Sequence, residues 1–334
     1  MSRKEKRKLE KLKKSKRRKK IINIIGIVIC FVIIFFIKHD QAYLKIVDFV
    51  NKRKQQPTLE VVSEKSDLKE NTIEDEKVEE VESLDIVEES TKVKQIIEKE
   101  IKDKNLNSDN FAFFYYDPVE KECYFYNETK FFTAASTVKV PIALIYYNKI
   151  ENGELKIDDT LEYKEDDYEN GNGSTNARYK VSDNIPISFL IKEMIVNSDN
   201  TATNILKNNL GDRETYRSLV SKFTIRELPE NFSTDNIISA GFGYDVMKYV
   251  YDNQEKYKEL IEYMKISSNG GYLKKYLPVE IAHKYGSFEE NVHDYGIVYG
   301  KNKTYLIGIF TQKVPDAEEL ISNISKEIYE SNNK

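Results

Sequence analysis

Residues 21 to 37, IINIIGIVICFVIIFFI, form a 17-residue stretch without a charge, and the tail before it holds thirteen Lys and Arg against Glu5 and Glu10. No other feature restricts the chain as strongly. As a helix the stretch is about 25 Å long at 1.5 Å per residue. That is the short end of a membrane span, and Lys20 and Lys38 can extend toward the two interfaces to lengthen it. A cleaved signal peptide fits less well, because the basic region is long and no A-x-A site follows. A lipoprotein signal at Cys30 is disfavoured by the bulk of Ile29. The positive-inside rule then leaves residues 1–20 in the cytoplasm and everything after residue 38 outside. The expected location is the cell membrane, single-pass, with the rest of the chain extracytoplasmic.

The formal net charge is −4, but the tail contributes +11, so the other residues carry −15. An acidic body does not suit wrapping of nucleic acid, and none is expected as a partner. Residues 58–90 hold thirteen acidic residues, three Lys, no Gly and no aromatic. Such a segment cannot bury enough apolar surface to offset its ordering entropy, and 38–92 reads as an acidic spacer. The only cysteines are Cys30 and Cys123, and His39, His283 and His293 lack metal-ligand spacing. A disulfide scaffold and a cysteine-based zinc cluster are thereby excluded, and no metal or other cofactor is expected.

From residue 93 the composition turns globular, which sets the expected domain at 93–334. Apolar residues at 93, 96, 97 and 101 predict a helix. FAFFYYDP and ECYFYN read as a hairpin. Residues 134–150 predict a buried helix, and 151–186 a long irregular excursion. PISFLIKEMIV and NTATNILKNNL predict two helices broken at Asn197–Asp199. VEIAHKYGSF, YGIVYG and TYLIGIFTQ read as three strands, the last two a hairpin, before a closing amphipathic helix. Strands at both ends with helices between predict an α+β layered domain.

Ser136-Thr137-Val138-Lys139 places a hydroxyl and an amine at i and i+3, on one face of a helix start. A helix N-terminus favours the neutral amine, which can take the serine proton. The same spacing at Ser66–Lys69 and Ser331–Lys334 has no buried helix around it. Ser-Asp-Asn occurs at Ser108, Ser182 and Ser198, and the first two sit in turn contexts. The third breaks two helices, where Ser198 can relay a proton and Asn200 can hold a carbonyl, or where the motif simply caps a helix. His283-Lys284-Tyr285-Gly286-Ser287 lies on a predicted strand, where Lys284 can meet a carboxylate and Gly286 admits close approach.

Taken in order on helix, inter-helix loop and late strand, TAASTVKVPIAL, MIVNSDNTATNIL and IAHKYGSF resemble the class A β-lactamases and their penicillin-binding relatives over roughly residues 93–330. The resemblance implies a β-lactamase/transpeptidase-like fold: a five-stranded antiparallel sheet flanked by helices, beside an all-helical lobe. It implies Ser136 as the acylated nucleophile and Lys139 as its activating partner. Ser198 and Asn200 would line the cleft, Lys284 would bind a substrate carboxylate, and the N–H groups of Ser136 and Ser287 would form the oxyanion hole. Glu227, four residues before Asn231, has the spacing of the family's deacylating acid, although the approach from Asn200 is shorter than usual. Tyr285 stands where the family has a small hydroxyl residue. The implied activity is hydrolysis of the β-lactam amide by a membrane-anchored monomer. The alternatives are a cell-wall peptidase acting on peptidoglycan peptides, acylated but slow to release, and a non-catalytic envelope protein.

Overall fold

The computed structural model describes residues 88–171, 173–267 and 271–333. The basic tail, the apolar stretch at 21–37 and nearly all of the acidic spacer lie outside the described residues. Among the described residues no helix is long and apolar enough to cross a membrane.

The strands are β1 (Glu88–Glu89), β2 (Phe111–Asp117), β3 (Glu122–Tyr126), β4 (Phe131–Thr133), β5 (Thr160–Glu162), β6 (Asn184–Pro186), β7 (Ile237–Ser239), β8 (Glu280–Phe288), β9 (Asn291–Tyr299) and β10 (Thr304–Gln312). The principal sheet has the order β1-β3-β2-β10-β9-β8. Five of these strands are antiparallel neighbours, as expected. The sheet is nevertheless six-stranded and mixed, because Glu88–Glu89 pairs in parallel with Glu122–Cys123 at the edge. That pairing is two residues long and polar, with no apolar periodicity to announce it. The central β2, FAFFYYD, is buried at all seven positions. A strand covered on both faces needs a continuous apolar run rather than alternation. β8 and β9 are joined by Glu289–Glu290, and Glu289 takes a positive φ of 50° in that tight turn.

The longer helices are α1 (Thr91–Asp103), α2 (Lys139–Glu151), α3 (Ile187–Val196), α4 (Asn200–Asn208), α5 (Arg213–Val220), α6 (Ala240–Asp252), α7 (Lys258–Lys265) and α8 (Ala317–Asn332). One face of the sheet packs on the terminal helices, with Val93 and Ile97 of α1 and Leu320, Ile321, Ile324 and Ile328 of α8 fully or nearly fully buried. The other face meets the larger core, to which α2, α3, α4 and α6 contribute. In α2 the run Lys139–Tyr146 is buried throughout. A helix that is apolar on all sides must lie inside the domain, and this one forms the axis of the helical lobe. Pro141 sits in its first turn, where no intrahelical N–H partner is lost. The excursion at 151–186 contains the small β5–β6 pair and isolated turns.

Candidate active site

Ser136 lies on a 3-10 turn, Ala135–Val138, and Lys139 is the first residue of α2. Ala135 takes φ 49°, a left-handed conformation that a Cβ-bearing residue adopts at a cost of order 1–3 kcal/mol. The turn is held from below. Tyr295 Oη donates to the Thr137 carbonyl at 2.7 Å, and His293 Nε2 lies 2.8 Å from the Thr133 carbonyl. The Thr311 N–H donates to His293 Nδ1 at 3.1 Å, so His293 is the neutral tautomer with its proton on Nε2. Burial lowers His293 to about 4, consistent with that assignment.

The Ser198-Asp199-Asn200 motif both caps a helix and engages Lys139. Asp199 caps α4, accepting from the Ala202 N–H at 3.0 Å, while its other oxygen accepts from the Thr175 N–H at 2.9 Å. Ser198, at φ 56°, is thrown the other way. Lys139 Nζ donates to the Ser198 carbonyl at 2.7 Å, to Ser198 Oγ at 3.1 Å and to Asn200 Oδ1 at 2.8 Å. The other two Ser-Asp-Asn sites are turns: Asn110 Oδ1 accepts from the Asn107 N–H, and Asp183 accepts from the Lys180 N–H.

Burial lowers Lys139 to about 7, against the opposing pull of Asp199 and Glu169. A lysine so placed exchanges a proton near neutrality, which a solvated lysine at its ordinary value does not. Among the described residues the Ser136 hydroxyl has no hydrogen bond, and Lys139 Nζ is engaged by Ser198 and Asn200.

Lys284, on β8, is fully buried. Its Nζ donates to Ser198 Oγ at 3.2 Å and to the Tyr285 carbonyl at 3.1 Å, and stands 4.2 Å from the centre of the Tyr285 ring. The Tyr285 ring is itself stacked on Tyr272, with centroids 5.2 Å apart. Burial drives Lys284 well below the ordinary lysine range, Lys139 adds to this, and Asp294 opposes it. Asp294 accepts from the Leu273 N–H at 3.1 Å and pairs with His283 Nδ1 at 2.7 Å, both side chains being fully buried.

Gly286 does admit a close approach, and the approaching group is the protein's own backbone. A Cβ at Gly286 would stand 2.9 Å from both the Ala134 oxygen and the Ser136 nitrogen. β8 therefore lies directly against the Ser136 turn. Ser287 follows it at the exposed end of the strand.

Glu227 lies in the loop between the 3-10 turn Ser221–Phe223 and the short helix Phe232–Asp235. It is exposed, and no hydrogen bond or ion pair engages it among the described residues. Asn231, four residues on, donates to Asp235 at 2.7 Å. The carboxylate that does enter the network is Glu169. Its Oε1 accepts from Asn200 Nδ2 at 2.8 Å and its Oε2 from Asn204 Nδ2 at 2.9 Å. Sequence reasoning missed it, because Glu169 stands in a polar stretch with Glu165, Asp166 and Asp167, where any one acid reads like the next. Among the described residues no group of three or more His, Cys, Asp and Glu is arranged to hold a metal.

A desolvated lysine three residues after Ser136, a second serine accepting from two lysine amines, and a strand pressed on the Ser136 turn fit a serine hydrolase. Residues 92–331 match the β-lactamase enzyme family, and the chain belongs to it. The fold is similar to that of a PBP-A mutant solved as an acyl-enzyme complex with penicillin G, with TM-score 0.66, 21% identity, and 75% of this chain and 99% of that one covered. It is also similar to the TLA-3 extended-spectrum β-lactamase, with TM-score 0.64, 22% identity, and coverage of 72% and 98%. A β-lactamase from Sphaerobacter thermophilus gives TM-score 0.61 at 20% identity, with 73% and 97% covered. Comparison with curated protein sequences gave no match.

Proposed function

We propose that the protein is a membrane-anchored serine hydrolase that opens the β-lactam amide through an acyl-enzyme at Ser136. The observation that carries this is the Lys139 amine, lowered to about 7 and bonded to both Ser198 and Asn200 beside the nucleophile turn. Ser136 Oγ attacks the lactam carbonyl and its proton passes to the neutral amine of Lys139. The oxyanion is met by the N–H groups of Ser136 and Ser287, each donor contributing on the order of 3 kcal/mol. As the C–N bond breaks, the proton moves from Lys139 through Ser198 Oγ, 3.1 Å away, to the leaving nitrogen. Asn200 holds the substrate's side-chain carbonyl and Lys284 faces its carboxylate. A non-catalytic envelope role leaves the two buried lysines without a purpose, since burying them costs free energy.

Release of the acyl group needs a water and a base. The exposed, unbraced position of Glu227 favours a second reading for this step: a penicillin-binding relative acting on peptidoglycan peptides, acylated by β-lactams and slow to turn over. Intact-protein mass spectrometry after a penicillin pulse separates the two. A β-lactamase returns to its unmodified mass within seconds to minutes, and Glu227→Ala makes the adduct accumulate. A persistent adduct that Glu227→Ala does not alter assigns the slow-release reading. Absence of any adduct, or an adduct that survives Ser136→Ala, overturns the serine mechanism. Membrane anchoring by residues 21–37 is tested by adding protease to spheroplasts, where a protected domain would refute it.

A further inference from the structure

Glu169 is fastened to the start of α4 at every polar group it has. Its N–H donates to Thr201 Oγ1 at 3.0 Å, and its carbonyl accepts from Thr201 Oγ1 and from Asn176 Nδ2, each at 3.0 Å. Its two carboxylate oxygens accept from Asn200 and Asn204, which lie one turn apart on the same helical face. The chain after it follows the same surface. At Gly171 a Cβ would meet the Asn200 amide at 3.2 Å. At Gly173, with φ +108°, a Cβ would overlap Asp199 at 2.1 Å, so only glycine passes there.

We propose that Glu169 is a positioning residue of the site: its carboxylate fixes the side-chain amide of Asn200 and supplies the negative charge that faces Lys139 across it. The inference rests on the serine mechanism above. The physical reason lies in the amide's two ends. Asn200 Oδ1 accepts from Lys139 and its Nδ2 donates to Glu169. Flipping the amide would aim N–H at a lysine donor and oxygen at a carboxylate, so both ends oppose it. One Nδ2 proton is committed to Glu169, and the other remains for a substrate carbonyl. Glu169 also acts on Lys139 at a distance. The acids that bear on Lys139 are Asp199 beside Ser198 and, more weakly, Glu169 beyond Asn200, while Lys139 itself bears on Lys284 of β8. Asp199 bears more strongly on Lys139 and also caps α4; Glu169 is the acid linked to Lys139 through a single side chain, Asn200.

The test compares full-length wild type with Glu169→Gln, which keeps shape and removes charge, and Glu169→Asp, which keeps charge and shortens reach. Two readouts are taken: the Lys139 titration, followed by 13C NMR of labelled lysine and assigned with Lys139→Arg, and the second-order acylation rate with penicillin. In Glu169→Gln the Lys139 midpoint moves to lower pH, and acylation above that midpoint falls about tenfold or more, the scale of one charge-assisted hydrogen bond. In Glu169→Asp the midpoint stays near the wild-type value while acylation still falls. An unmoved midpoint in Glu169→Gln, or acylation at the wild-type rate in both variants, overturns the proposal. If wild type forms no adduct at all, the serine mechanism fails, and the NMR midpoint alone decides whether Glu169 acts on Lys139.

Discussion

Gly286→Ala tests how tightly β8 is pressed on the nucleophile turn. The added Cβ would stand 2.9 Å from the Ala134 oxygen, 2.9 Å from the Ser136 nitrogen and 3.1 Å from Thr137 Cγ2, where ordinary contact begins near 3.4 Å. The first two neighbours are backbone and cannot swing aside, so strand and turn must separate by about 0.5 Å. The Ser136 N–H moves with the turn. A misplacement near 1 Å costs about 10²-fold in rate, and outright loss of an oxyanion donor about 10²–10³-fold. Half that displacement predicts acylation slower by about 10- to 100-fold. Overpacking adds about 1–3 kcal/mol of destabilisation, or roughly 2–4 °C in Tm per kcal/mol for a domain of this size. The assay is the pseudo-first-order rate of penicillin adduct formation by intact mass, with a thermal melt to establish that the variant is folded. A folded Gly286→Ala protein that acylates at the wild-type rate would refute the argument, because the turn would then tolerate the separation.

Other outcomes follow from the same geometry. Only the free amine of Lys139 accepts the serine proton, so the acylation rate should fall about tenfold per pH unit below about 7 and level off above it, measured as a rate–pH profile. Tyr285→Thr removes the ring lying 4.2 Å from Lys284 Nζ, and should raise acylation by carboxylate-bearing penicillins about tenfold, the scale of a charge-assisted pair, with no gain for the corresponding methyl esters. His293 is lowered to about 4 from an ordinary 6.5, so between those values the unfolded chain binds the extra proton and stability rises with pH. The domain should therefore lose about 3 kcal/mol from this group as pH falls through that window. His293→Leu should remove this acid sensitivity while costing about 1–3 kcal/mol at pH 7, because the Thr133 carbonyl and the Thr311 N–H lose their partner. Denaturant titrations at pH 4.5 and 7 measure both effects.

Much of this protein is legible in its sequence because the signals are local. The apolar run in α2 says that the helix is buried, and the unbroken aromatics of β2 say that the strand is covered on both faces. The spacing of Ser136 to Lys139 spans less than one helical turn. The order of Ser-x-x-Lys, Ser-Asp-Asn and Lys-x-Gly pointed to a family that the match over residues 92–331 shows. What tertiary structure alone decided is where groups distant in the chain meet. Ser198 and Lys284 are 86 residues apart, and Asn200 and Glu169 are 31 apart, yet both pairs are within hydrogen-bonding distance. No periodicity marks Glu169 among its acidic neighbours. The same holds for the lysines: Lys139 is near 7 because the lobe and the sheet close over it, and burial is a property of the assembled layers. Residue type fixes which proton can move, and packing sets the pH at which it does.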